Sequence, residues 1–507
     1  MYILMKKIIH TPILIFALIV LFTLTGYAQF PEDVLRLSTP GTGVGARSLG
    51  LGMAYTGVAN DFSAMYWNPA GLAQLKMNEI TFGLSNLSYG NTGTLTDGTP
   101  GGPLGSGKNF TNSGTSLNDL GFVYSVPTAQ GSFVIALGYG RQAEFTTGLS
   151  FSGFNPRSSI IQSLAPDGQS APQYLANDLA YQLYLANVDT ITGQYDSQIK
   201  DSLTQSGKVI ENGGLNHFSA AAAIEAAQNL FLGVTLNIVT GSYSYTRNYY
   251  EDDLANFHNT LPFDLSSFSL LETVESDISG FNAKLGFLYK FAPNSRIGLA
   301  VKTPSWITVR EDFTQRGVSD FDNGDHYEYA VKYNYSEQVL SNGDKLTFYD
   351  PVGHDEYDVS TPYVFSAGAS VGAQNLMVAG DLEYTDWTQM EFRNANAHLL
   401  ELNTQIKEEF RPTVNLKLGA ECEVVPNTLQ LRAGFAYLKS PYDGDPSEFD
   451  RKYITGGASI SVQNAMIVEV GFAHGYWKNY RVNYDATSRT DEDVTTNTLL
   501  GSVSYRF

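Results

Sequence analysis

Residues 498–507 read TLLGSVSYRF. Leu499, Val503, Tyr505 and Phe507 fall on one face of an extended strand, with Gly501 among them, while Leu500, Ser502, Ser504 and Arg506 fall on the other. A strand surrounded by lipid turns its apolar groups outward and its other face toward a wetter lumen. An aromatic residue closes the chain. The stretch therefore predicts the last strand of a transmembrane β-barrel.

The same two-residue period recurs upstream. Phe281, Ala283, Leu285, Phe287, Tyr289 and Phe291 alternate with Asn282, Lys284, Gly286, Leu288 and Lys290. Val414, Leu416, Leu418 and Ala420 alternate with Asn415, Lys417, Gly419 and Glu421. About fourteen such segments lie between residues 78 and 507, at 78–90, 117–127, 131–149, 215–227, 230–249, 274–291, 294–315, 357–373, 375–393, 411–424, 427–440, 451–463, 465–480 and 494–507. The connections alternate in length. Short turns fall at 127–130, 226–229, 292–294, 373–375, 425–427 and 463–464, and long segments at 91–116, 150–214, 250–273, 316–356, 394–410 and 481–493. Short inner turns and long outer loops distinguish a membrane barrel from a soluble sandwich. The fold expected is all-β, a transmembrane antiparallel barrel of about 14 strands with both barrel ends on the short-turn, periplasmic side. Helices are expected within the outer loops at 158–164, 174–185 and 395–409, and a hairpin at 325–350.

Composition agrees. Tyr numbers 31 and Phe 29, enough for aromatic girdles at two interfaces. A net charge of −20 argues against nucleic acid, whose phosphates require clustered Lys and Arg. The single Cys422 makes no internal disulfide. Residues 1–28 read as a secretory signal: Lys6 and Lys7, a short apolar run at 13–24, and small residues Gly26 and Ala28 before Gln29. The address expected is the bacterial outer membrane, among lipid and lipopolysaccharide, as a monomer.

Residues 29–77 break the alternation. Glycines at 41, 43, 45, 50, 52, 57 and 71 permit close backbone packing, and residues 59–66 suggest a short helix ended by Pro69. An empty fourteen-strand barrel leaves a wide hole, so a leading segment on the periplasmic side is expected to fold into the lumen as a hatch. Residues 43–57, GVGARSLGLGMAYTG, and the Asn68-Pro69-Ala70 motif resemble the FadL-like outer-membrane transporters of long-chain fatty acids and aromatic hydrocarbons. Tyr384-Thr385-Asp386-Trp387-Thr388-Gln389 and residues 431–437 with Ser440-Pro441 extend the resemblance. It implies a fourteen-strand barrel, an amino-terminal hatch and an exit for apolar ligand through the wall. Residues 65–73, MYWNPAGLA, are also similar to FadL-like relatives that serve type IX secretion by binding sorting domains of secreted proteins.

Apolar ligand gains roughly 0.8 kcal/mol per CH₂ on leaving water, so a dry path with hatch movement and sideways release suits it. Phe62, Met65, Tyr66 and Trp67 are candidate pocket residues. Lys284, Lys302, Lys417 and Arg432 are candidate partners for a carboxylate. Gly138 and Gly140 are candidate sites of a wall kink, since glycine inside a strand marks bends and bulges. No cofactor, metal or catalysis is expected: the seven histidines form no evident Ser–His or Asp–His constellation, and His354-Asp355-Glu356 lacks a spaced partner.

Overall fold

A computed structural model describes residues 30–98, 102–172, 175–339, 345–463, 465–485 and 487–507. The expected signal at 1–28 and its cleavage before Gln29 lie outside them, as does Tyr174. Among the described residues no helix is long and apolar enough to cross a membrane. Strands do the crossing.

Fourteen antiparallel strands follow in chain order: β1 (Glu79–Thr96), β2 (Lys108–Val126), β3 (Phe133–Glu144, continued by Thr147–Asn155), β4 (Leu203–Ala227), β5 (Leu230–Asp252), β6 (Leu265–Ala292) and β7 (Ser295–Lys302, continued by Trp306–Phe321). Next come β8 (Gly353–Ser360, continued by Val364–Ala373), β9 (Leu376–Asp386, continued by Glu391–Arg393), β10 (Pro412–Val425), β11 (Leu429–Leu438), β12 (Arg451–Val462), β13 (Met466–Val482) and β14 (Arg489–Arg506). Each pairs with its sequence neighbours, and eighteen rungs from Glu79–Arg506 to Thr96–Arg489 join β1 to β14 and close the barrel.

Closure gives every strand two neighbours, and the strand pattern sets which face meets lipid. In β14, Leu499, Val503 and Tyr505 are about half exposed while Leu500 and Ser502 are buried. Phe281, Trp306, Tyr363, Phe365 and Tyr384 form an exposed aromatic band toward the loops, and Tyr124, Tyr289, Phe291 and Tyr505 one toward the turns. Single left-handed residues reverse the chain at the turns, among them Asn229, Gln374, Asn427 and Gln463. The barrel base is tied where Asn78 and Phe507 exchange backbone hydrogen bonds at 3.1 Å each.

Several boundaries differ from expectation. Most of 91–116 is strand, because β1 and β2 rise beyond the apolar belt as a polar ribbon and leave only 97–107 as loop. The outer loops carry α4 (Ile160–Leu164), α5 (Leu179–Gln182) and α6 (Ala397–Glu409), and a hairpin joins Asn334–Val339 to Lys345–Asp350. The expected helix at 174–185 is only a 3₁₀ turn, Leu175–Asn177, followed by α5.

The lumen is filled by the leading segment: α1 (Pro31–Ser38), α2 (Ala46–Gly50), α3 (Ala64–Trp67) and a 3₁₀ turn, Pro69–Gln74. Leu49, Leu51, Ala54, Tyr55, Val58, Ala64, Ala70 and Leu72 are fully buried there. Glycine lets backbone touch backbone. A Cβ on Gly57 of the hatch would lie 2.9 Å from the Gly368 carbonyl carbon in β8, and one on Gly368 would lie 2.8 Å from the Gly57 nitrogen.

Candidate functional site

Asn68 locks the hatch to the wall. Its extended backbone precedes Pro69, which starts the 3₁₀ turn, and its side-chain oxygen accepts the Ala70 N–H at 3.2 Å. Its amide donates to the carbonyls of Thr56 at 2.8 Å and of Phe287 in β6 at 3.0 Å. Asp381 of β9 accepts the N–H groups of Tyr55 (2.8 Å) and Thr56 (2.7 Å). Arg47 makes a two-pronged contact to Glu421 of β10, 2.8 Å at each prong. Asn68-Pro69-Ala70 is thus a joint between hatch turns and barrel. Asp381, buried and separated from the hatch by more than three hundred residues, carried no sequence signal.

The wall is not continuous around the hatch. The β2–β3 ladder has its last rung at Asp119–Gly140. Beyond it β3 pairs only with β4, with a register shift between Arg141 and Ala143 and a break at Phe145–Thr146. On the facing edge Asn118 is bulged, since Gly83 pairs with Asp119 and Leu84 with Leu117. Hatch backbone fills this seam. Gly41 donates to the Gln142 carbonyl at 3.0 Å, Gly45 donates to Asn118 Oδ1 at 3.0 Å, and Asn118 Nδ2 donates to the Gly43 carbonyl at 3.1 Å. Side chains bridge farther out, where Ser116 donates to Glu144 and Asn112 to the Thr147 carbonyl at 3.1 Å. The two glycines singled out in β3 do not bend the wall themselves. Gly138 clears space for the Phe62 ring, and Gly140 abuts Val44. The irregularity begins with the next residues.

A cavity of about 20 Å³, room for about one water, lies between hatch and seam. Val44, Phe62, Met65 and Tyr66 line its hatch side, and Tyr139, Gly140, His217 and Asn237 its wall side. Phe62, Met65 and Tyr66 are therefore brought together beside the seam. Trp67 turns away and donates to the Val44 carbonyl at 2.9 Å. His217, near the hatch in mid-barrel, was not singled out in the sequence, where it is one inward residue among alternating polar and alanine positions.

Three of the four candidate cations gather around Glu383, two of them against Tyr66 and Trp67. Lys284 and Lys302 are direct cross-strand partners between β6 and β7. Lys284 donates to the Tyr66 carbonyl and stands 4.8 Å from the Tyr66 ring centroid. Lys417 stands 5.5 Å from the Trp67 ring and pairs with Glu383 at 2.8 Å. Like charges directly opposite on a sheet destabilise it, so three lysines around one carboxylate leave an inner surface that favours an added anion. Arg432 lies apart. It is committed to Glu421 (2.7 Å) and Glu469 (3.1 Å), beside a polar chamber of about 180 Å³ lined also by Arg47, Asp61, Glu79, Asp119 and Arg506.

Toward the loops the lumen holds apolar clusters beside a buried charge network, in which Arg481 pairs with Glu211 and, at 3.0 Å, with Glu492. Val34 and Leu37 of α1 pack with Leu215, Val239, Ile278, Ile307, Val309 and Val359 of the wall and Leu399, Leu402 and Ile406 of α6. Arg36 lies over the Tyr243 ring at 3.8 Å. A second cluster joins α4 and α5 to Leu149, Phe151, Tyr249 and Phe268. Among the described residues no group of three or more His, Cys, Asp or Glu is placed to hold a metal ion; Glu356 is tied to Arg310 at 2.7 Å.

Residues 187–507 match the family described as outer membrane protein transport protein (OMPP1/FadL/TodX). Among solved structures the chain is similar to a FadL homologue of Pseudomonas aeruginosa, with 14% identity over 93% of this chain and 99% of that one and a TM-score of 0.54. It is similar to the Pseudomonas putida toluene transporter TodX, with 14% identity over 92% and 99% and a TM-score of 0.52. At these identities the likeness concerns the fold. No curated protein matches the chain.

Proposed function

The chain belongs to the outer-membrane transport protein family OMPP1/FadL/TodX, and on that premise we propose that it takes up apolar compounds bearing an acid group, of the long-chain fatty acid kind. The outer loops and the apolar clusters of the upper lumen receive the ligand, the hatch holds it, and a hatch shift releases it sideways through the β2–β3 seam.

The opposed pair Lys284 and Lys302 carries this reading. Among the described residues the Lys302 ammonium makes no hydrogen bond and no ion pair within 4.0 Å; Glu383, which attracts it from farther off, is already held by Lys417 at 2.8 Å. A ligand carboxylate entering above Tyr66 supplies the missing charge while its chain lies against Phe62 and Met65. Sideways release is favoured by the other exit's chemistry. The 180 Å³ chamber below the hatch is lined with acidic and basic side chains, and an acyl chain crossing it displaces their water. At the seam the hatch is held by few hydrogen bonds, two of them to the Asn118 side chain, and a ligand leaving there enters the bilayer without crossing that chamber.

Equilibrium binding to the purified barrel tests the substrate class. A long-chain fatty acid is expected to bind at least tenfold tighter than its methyl ester, and Lys302→Met is expected to abolish that preference while leaving ester binding intact. Equal binding of acid and ester, or recovery of the extracted barrel with a secreted protein and no apolar ligand, refutes the reading.

A further inference from the structure

The lipid-facing belt is not of even height. On β10 the outward positions Val414, Leu416, Leu418, Ala420, Cys422 and Val424 are all apolar. At a strand tilt of about 40° each residue climbs ~2.6 Å of membrane depth, so this belt stands about 26 Å tall, close to that expected of a membrane barrel. On β6 residues 281–291 give the same height. Beside the seam it shrinks. On β2 it runs from Leu117, opposite Leu84, to Val126, about 21 Å with Asn118 bulged inward, and on β3 over 133–139, with Ile135 and Leu137 exposed, about 16 Å. On β1 only Ile80, Phe82 and Leu84 face lipid before Asn86 and Ser88 take over the outward positions. The pairings Asn86–Thr115, Ser88–Ser113 and Ser88–Asn497 show that the polar face is continuous across β14, β1 and β2. Thr115 and Ser113 lie on the stretch of β2 that β3 leaves unpaired.

We propose that the barrel draws the outer leaflet in beside the β2–β3 seam, so that lipid headgroups and water descend to the level of Asn86, Thr115 and Asn497. Tilting the barrel does not help, because a tilt leaves the belt on that side no taller. The alternatives are hydroxyl and amide side chains pressed against acyl chains or a bilayer thinned to meet them, and thinning costs only a fraction of a kcal/mol per Å of mismatch. The partner surface is the outer-leaflet lipid itself. On the reading that ligand leaves through the seam, the thinned patch shortens its path and lowers the order of the lipid that receives it.

Spin labels test this in the intact barrel with Cys422→Ala. Thr115→Cys and Val414→Cys each place a label eleven residues from the turn end of its strand (126 − 115 and 425 − 414). In vesicles of dioleoyl phosphatidylcholine, the Thr115 label is expected to be relaxed by a water-soluble nickel chelate at least fivefold more than the Val414 label. Ser113→Cys, one outward position higher, repeats the reading if Thr115→Cys fails to assemble. Equal hydrocarbon depth at both sites overturns the proposal. The release reading is judged separately: with the depth contrast present, Asn86→Leu with Thr115→Leu and Asn497→Leu is expected to slow fatty-acid uptake severalfold. Uptake at the wild-type rate, with the depth contrast intact, counts against sideways release and not against the thinned leaflet.

Discussion

Asn118 grips Gly45 across the open seam: its side-chain oxygen accepts the Gly45 N–H at 3.0 Å, while its amide donates to the Gly43 carbonyl at 3.1 Å. The bulge that removes Asn118 from the β1–β2 register is what turns it inward. A wall defect and a hatch anchor are therefore one feature. Leaving a buried N–H or C=O unsatisfied costs about 1–3 kcal/mol. Asn118→Ala is thus expected to raise the population of the shifted hatch roughly 10- to 100-fold without disturbing barrel assembly. Single-channel recording checks it through more frequent openings and cell assays through greater entry of bulky antibiotics; a variant as quiet as wild type contradicts it.

Asn68 makes a sharper case, since its oxygen and its nitrogen have different jobs. Asn68→Asp keeps the acceptor for Ala70 N–H but replaces two donated hydrogen bonds by repulsion from the Thr56 and Phe287 carbonyls. It is expected to unseat the hatch more than Asn68→Ala does. Protease digestion of detergent-solubilised barrels should cleave within residues 41–74 faster in the order Asp, Ala, wild type, with the strands protected in all three. An unchanged order would mean that the joint is held by burial alone.

Strand number, turn positions and the hatch were legible because each rests on short-range pattern: a two-residue period, loop length, and a run of glycines that a strand does not tolerate. The ribbon of β1 and β2 at 91–96 and 108–116 was not, because outside the membrane neither face needs to be apolar and its Thr, Asn and Gly content reads as loop. Residues 59–66 failed as a helix for a tertiary reason. The Phe62 N–H is taken by Glu79 of β1 at 2.9 Å and the Ser63 N–H by Asp61 at 3.0 Å, so helix begins only at Ala64. The lysines were legible as inward residues, yet their convergence depends on which strands adjoin, as does the separation of Arg432. The seam was invisible: it opens just past Gly140, where β2–β3 pairing stops, and glycine content points only near it.

Glu383 holds the balance of charge among the lumenal lysines, accepting from Lys417 at 2.8 Å and from Asn415 at 3.2 Å. Glu383→Gln keeps the shape and removes the charge. Two effects of opposite sign are expected: acid ligands bind several-fold tighter, and the ligand-free barrel melts at lower temperature because the lysine cluster is left without its counter-ion. Calorimetry with and without fatty acid checks both. If the variant is less stable yet binds acid no better, Glu383 is structural and the lysines do not meet the ligand.

The outer parts of β7 and β8 are tied by a charge contact that titrates. Exposed His354 of β8 is hydrogen-bonded through Nδ1 to Asp312 of β7 at 2.6 Å, and its Nε2 faces Asp350 at 3.7 Å. The hydrogen bond to Asp312 is the main cause that raises the imidazole above its ordinary value of 6.5. A raised value means that the folded loop favours the proton. The contribution of the contact is present at low pH and fades as pH climbs through the raised value. In histidine-labelled protein the His354 resonance, assigned by its loss in His354→Asn, should titrate above 6.5 and return toward 6.5 in Asp312→Asn. Amide protection in Gly353–Ser360, corrected for the base-catalysed rise of intrinsic exchange, should fall over the same pH interval in wild type and stay flat in His354→Asn. A midpoint unmoved by Asp312→Asn would place the cause outside this pair.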